Sequence, residues 1–121
     1  MKYEDLYTDF LSLFPEDIEY FKKCEEETGA TSEVGIHVVF GMVVVPFITK
    51  IVKDAPDKAK KAFEFFEEME KSDDPQIAEV LEFTVLENLL TEDKDMMSEY
   101  AKYFGKETKE AAASVGKWFR L

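Results

Sequence analysis

Val34-Gly35-Ile36-His37-Val38-Val39-Phe40-Gly41-Met42-Val43-Val44-Val45-Pro46-Phe47-Ile48-Thr49-Lys50-Ile51-Val52 is the stretch on which the fold turns. From Val34 to Thr49 it holds sixteen residues without a formal charge. Its β-branched content reads as strand, whereas its length and its lack of apolar–polar alternation read as a buried helix. A lone strand would leave backbone polar groups unsatisfied, and no second β-rich run exists to pair with it. The block is therefore expected to form a helix over 33–53, with Ser32 as a better cap than Thr31 or Glu33. Pro46 is expected to kink it, because proline removes one backbone bond and clashes with the preceding turn. A spanning helix needs about 20 predominantly apolar residues. This run is shorter and interrupted by Gly35, His37, Gly41 and Pro46, so a buried core helix is expected rather than a membrane span.

Outward from this block the punctuation is helical. Upstream, Tyr3, Leu6, Tyr7, Phe10, Leu11 and Phe14 recur at helical spacing, Pro15 suits the first turn of a second helix, and Gly29 suits its C-terminal end. Downstream, Asp54-Ala55-Pro56 opens a helix with Ala59, Ala62, Phe63, Phe66 and Met69 on one stripe. Asp73 or Asp74 caps the next, with Pro75 at its first position and Ile77, Val80, Leu81, Thr84, Val85, Asn88 and Leu89 along it. Thr91 is a further cap candidate ahead of Met96, Met97, Tyr100, Ala101 and Phe104. Ala111, Ala112, Val115, Trp118 and Phe119 make the core face of the last segment. The expectation is a single all-α domain over 1–121, with about seven helices stacked as antiparallel αα-hairpins in a HEAT-like manner.

Charge narrows the function classes. The 121 residues carry 27 acids against 15 Lys and Arg, a formal net charge of −12. Such a chain repels phosphates, which argues against nucleic-acid binding, and it is equally unsuited to an anionic membrane surface. Cys24 is the sole cysteine, so no intrachain disulfide forms. The N-terminus lacks the basic and apolar regions of a signal peptide, and a cytoplasmic location is expected.

Candidate chemistry is sparse. His37 is the only histidine; Glu33 lies four residues before it, but no further ligand completes a metal site by spacing. It reads as a satisfied core or helix-end residue, with a partner contact as the alternative. Cys24 stands beside Glu25, Glu26 and Glu27, which favours a neutral thiol over a nucleophile. The five glycines are scattered singly and make no phosphate loop. No enzyme, metal or cofactor is expected. The feature with most content is the acid run Glu64, Glu67, Glu68, Glu70, Asp73 and Asp74, continued by Glu79, Glu82 and Glu87. Glu64, Glu67, Glu68 and Glu70 are expected at the surface or rim, and Glu87 stands on a largely apolar stripe. A solvated face is the plain reading. The functional one makes Glu64, Glu67, Glu68, Asp73, Asp74, Glu79, Glu82 and Glu87 a surface for a protein partner.

The stretches Ala62–Met69, Ser72-Asp73-Asp74 and Val80–Leu89, with His37–Phe47 upstream, resemble a pattern in small helical bacterial proteins, some proposed as immunity proteins of polymorphic toxin systems. The resemblance spans Gly35 to Leu90. It implies a HEAT-like fold and a role in neutralising a toxin, and it implies no catalytic residues. An acidic face would steer an inhibitor onto a basic toxin. The expected function is thus a non-enzymatic protein-binding module, monomeric or homodimeric. The alternative is a ligand-binding or enzymatic domain with a Phe-lined cavity between the Val34–Val52 block and the Phe63–Phe66 helix, suggested by eleven phenylalanines.

Overall fold

The computed structural model describes residues 1–92 and 94–118. Among the described residues there are seven helices and no strand. They are α1 (Leu6–Ser12, entered by the 3₁₀ turn Tyr3–Asp5), α2 (Ile18–Thr28, entered by Pro15–Asp17), α3 (Ile36–Asp54), α4 (Pro56–Lys71), α5 (75–92), α6 (Met97–Ala101, entered by Lys94–Met96) and α7 (Lys106–Trp118). The all-α expectation holds. Phe119, expected on the core face of α7, lies outside the described residues.

The boundaries have local causes. Pro15, Pro56 and Pro75 each open a helical segment, where the missing N–H has no bond to lose. Gly29 closes α2 in the left-handed region at φ 72°, with its N–H bonded to the Glu25 carbonyl. The central helix starts later than expected. Val34 N–H bonds the Thr31 carbonyl in a turn, and Gly35 at φ 137° redirects the chain into Ile36. That angle suits glycine, which has no Cβ to collide with the backbone. Ser32 makes no cap. Thr91 likewise lies inside α5, its hydroxyl bonded to the Glu87 carbonyl.

Two helices carry a wide turn. Phe40–Val44 in α3 and Leu81–Leu86 in α5 are π-helical. The burial pattern explains them. In α3 the core takes Phe40, Val44, Ile48 and Val52, while Val38, Met42, Pro46 and Lys50 face water. In α5 it takes Ile77, Leu81, Val85 and Leu89, with Pro75, Glu79 and Phe83 outside. A strict four-residue repeat walks about 40° per step around an α-helix of 3.6 residues per turn. One π turn winds part of that drift back and keeps the apolar row on the core. The helix runs on through Pro46 undivided. The Met42 carbonyl, which proline leaves without its i+4 donor, accepts instead from Cys24 Sγ at 3.5 Å.

Helix α3 sits centrally, touching α1, α2, α4 and α5; α4 also packs on α5 and α7. By length and composition Ile36–Asp54 could cross a membrane, yet 56% of its most apolar window is buried against the other helices. Phe10, Phe14, Phe21, Phe40, Phe47, Phe63 and Phe66 are at most 1% exposed. Their rings pack on one another: Phe10 stacks on Phe66 at 6.0 Å and meets Phe47 edge-on, and Phe47 also contacts Phe14, Tyr20 and Phe21. Burying each ring contributes about 1.5–3 kcal/mol, so the phenylalanine excess goes largely into the core.

Candidate functional site

The acid run divides according to which side of α4 and α5 each residue occupies. Ala59, Ala62, Phe63, Phe66 and Met69 turn the inner face of α4 to the core, which leaves Glu64 and Glu68 exposed on the outer face. Glu68 borders two open clefts of about 420 Å³ each. One is lined by Met1, Glu68, Lys71, Ser72, Asp73 and Asp74, the other by Leu13, Lys61, Glu64, Phe65 and Glu68. Asp73 is exposed at the end of α4. Lys71 lies 3.9 Å from Glu68, with both side chains more than half exposed, so the pair is weakly held.

Glu67 has a different task. Its carboxylate accepts from the Glu107 and Thr108 backbone N–H groups at 2.9 and 2.8 Å and from Thr108 Oγ1 at 2.8 Å. It thereby caps the start of α7 from another helix, where N–H groups lack intrahelical partners and the dipole favours negative charge. Burial pushes its pKa up, but these hydrogen bonds outweigh burial and hold it below the usual carboxylate range. Gly105 makes room, since a Cβ there would collide with the Glu67 carboxyl group. Asp74 is also engaged, accepting from Gln76 N–H at 2.9 Å as the cap of α5, while its own N–H donates to Ser72 Oγ. Glu67 and Glu70 are half-buried, as expected of the rim, and the carboxylates of Glu67 and Asp74 are engaged in these internal hydrogen bonds.

Glu70 turns inward as well. Its Oε2 is buried without a donor, and its contact with the Glu82 carboxylate is a hydrogen bond only while Glu70 keeps its proton. Burial, reinforced by the charges of Glu82, Glu107 and Glu67, raises its pKa to about 7. Burial and the Glu79 charge raise Glu82 too. Three residues of the α4 sequence thus separate a carboxylate stabilised as an anion from one stabilised as an acid. Neither role is legible in the sequence, because each depends on α7 or α5 arriving beside α4.

At the crossing of α3 and α5, His37 Nδ1 lies 2.6 Å from Thr84 Oγ1, and Asn88 Nδ2 donates to the Thr84 carbonyl. The histidine is exposed and hydrogen-bonded between helices, with Glu33 left in the preceding turn. A methyl at Gly41 would sit 3.4 Å from Thr84 Cγ2, which marks how closely the π segments approach. Glu79 is exposed and Glu87 half-buried beside this crossing. Burial first, then Glu27 and Glu25, raise the Cys24 pKa, which keeps the thiol protonated to donate to Met42. Among the described residues no group of three or more His, Cys, Asp or Glu is arranged to hold a metal ion.

These features define an all-helical domain whose surface carboxylates fall into a free outer set and an engaged inner set. A family model described as Domain of unknown function (DUF7674) matches residues 7–119, and the chain belongs to that family. No curated protein and no solved structure matches it. The family description names no activity and no tie to immunity proteins or toxin systems.

Proposed function

We propose that this domain is a non-enzymatic protein-binding module of the cytoplasm that uses an acidic surface on a basic protein partner. The observation that supports it is the outer flank of α4, where Glu64, Glu68 and Asp73 stand exposed beside two open clefts and make no internal hydrogen bond that would hold them. Carboxylates so placed steer a cationic partner and select its orientation. Glu67, Asp74 and Glu82 belong to the supporting structure beneath. Glu79 and Glu87 lie on α5 and make a second acidic border. The finer reading is an immunity-type inhibitor that covers the basic face of a toxin, as the resemblance in sequence implies. The aromatic rings that suggested a ligand cavity pack on one another, which favours binding at the surface over a Phe-lined pocket.

The test is affinity capture on the immobilised domain at low salt, with identification of retained proteins. A basic protein is expected, released as salt rises and not retained by a Glu64→Lys, Glu68→Lys, Asp73→Lys variant. Suppression of that protein's toxicity by the wild type, and not by the variant, would support the inhibitor reading. Retention of no basic protein, or equal retention by the variant, would refute the acidic-flank reading.

A further inference from the structure

Among the described residues, seven large hydrophobic side chains are exposed, and four of them belong to the two helices that cross at His37 and Thr84 or to the turn that enters α3: Val34 at 56%, Val38 at 38%, Met42 at 45% and Phe83 at 52%. The π turn in α3 is what aligns Val38 and Met42 with Pro46 along one outward row. The His37–Thr84 contact joins the two helices one residue before Val38 on α3 and one residue after Phe83 on α5. On its other side runs α2: Lys50 Nζ stands 4.7 Å over the Tyr20 ring, and Cys24 reaches the Met42 carbonyl. Tyr20, Cys24 and Glu27 follow at helical spacing, so the exposed Glu27 continues the α2 border toward Val38.

The charges beside this row have one sign over most of its length. Glu27 stands on the α2 side, Glu33 at the start of α3, and Glu79 and Glu87 on the α5 side. The neighbouring cations are Lys23, 4.0 Å from Glu27 with both side chains well exposed, and Lys50 and Lys53 at the far end. A second copy of the same acidic surface would be repelled here. An apolar strip with acids on both borders fits a segment whose own apolar strip has cations on both borders, which is a basic amphipathic helix.

We propose that the face where α3 crosses α5 is the seat for a basic amphipathic helix of a protein partner. Its apolar side lies on Val38, Met42 and Phe83, and its Lys and Arg side chains meet Glu27 on one border, Glu33 at the head of the row, and Glu79 and Glu87 on the other border. This rests on the reading of the domain as a binder of basic proteins and assigns a second, apolar surface to it. The row is open to solvent and its members contribute little to the core, so they can be changed without loss of the fold.

The test uses two synthetic peptides of about five helical turns, a Leu/Lys amphipathic helix and a Lys/Ser peptide of equal charge, titrated into the isotope-labelled domain at low salt. The Leu/Lys peptide is expected to bind at least about tenfold more tightly than the Lys/Ser peptide. Its chemical-shift changes should centre on Val38, Met42, His37 and Phe83, and Met42→Ser with Phe83→Ser should remove the tenfold advantage. Shift changes confined to Glu64, Glu68 and Asp73, with no advantage for the apolar face, would overturn this inference and leave the acidic-flank reading standing. Binding of neither peptide would overturn both. Mapping on the wild type gives the answer even if the double variant proves unstable.

Discussion

Helix α4 carries acids on two sides, and the two sides differ in what holds them. Of the inner acids, Glu67 is held by α7 as an anion under backbone N–H groups, whereas Glu70 faces Glu82 of α5, where burial and neighbouring charge raise its pKa to about 7. The outer Glu64 and Glu68 make no such contacts and look onto open clefts. The lesson is that net charge and sequence clustering do not measure what a surface offers to a partner. Of the four glutamates on this helix, one stabilises the fold, one costs stability, and two are free.

The largest effect should come from the inner anion. Glu67→Ala removes three hydrogen bonds to the start of α7 and is expected to cost about 1–2 kcal/mol, lowering Tm by about 4–8 °C. Because the Glu67 pKa is depressed in the folded state, its contribution is present above the unfolded carboxylate value near 4.3 and disappears as pH falls through the folded value. The difference in Tm between wild type and Glu67→Ala should accordingly shrink in acid. An undiminished difference would mean that the carboxylate's charge is not what matters.

A second contrast lies at the turn after α4. Asp74→Ala deletes the cap of α5 and is expected to cost about 1 kcal/mol, whereas Asp73→Ala, one residue earlier and exposed, should leave Tm unchanged. Equal effects in thermal melts would erase the distinction between engaged and free acids. Smaller again, and opposite in sign, is Glu70→Gln. The folded pKa of Glu70 is raised to about 7, so the wild type gives up stability as pH rises from about 4.5 to 7, where the unfolded chain ionises first. Gln should thus raise Tm at pH 8 by a few degrees at most, the site being partly solvated, and leave it unaltered at pH 4. A variant that is less stable than wild type at pH 8 would contradict the buried-acid assignment.

The sequence made the helical architecture legible, and the reasons are particular. Pro15, Pro56 and Pro75 at helix starts, Gly29 at a helix end and the apolar stripe of α4 all act locally, and each appears where its chemistry places it. The start of α3 was less so, since Gly35 at positive φ displaced the capping role expected of Ser32. The wide turn in α3 was not legible, since in a nearly uniformly apolar block the row Val38, Met42, Pro46, Lys50 is set apart only by its exposure in the fold. The sorting of the acids was not legible. Glu67 is committed by Glu107 and Thr108, forty and forty-one residues away in sequence, and Glu70 by Glu82 on another helix. Such duties follow from tertiary neighbours, to which periodicity is blind.

The outer acids should be the least important to the fold. Glu64→Lys, Glu68→Lys and Asp73→Lys together are expected to change stability by no more than about 0.5 kcal/mol per site, because no hydrogen bond or core contact depends on them. That indifference makes the triple variant the decisive reagent. The most direct measurement is the affinity of the captured basic partner for wild type and triple variant across a salt series, with melting temperatures taken alongside. Tight binding by the wild type that weakens steadily with salt, and its loss in an equally stable variant, is the expected result. A variant that stays folded and binds the partner as tightly as wild type, with the same salt dependence, would contradict the assignment of the outer face of α4 as the binding surface.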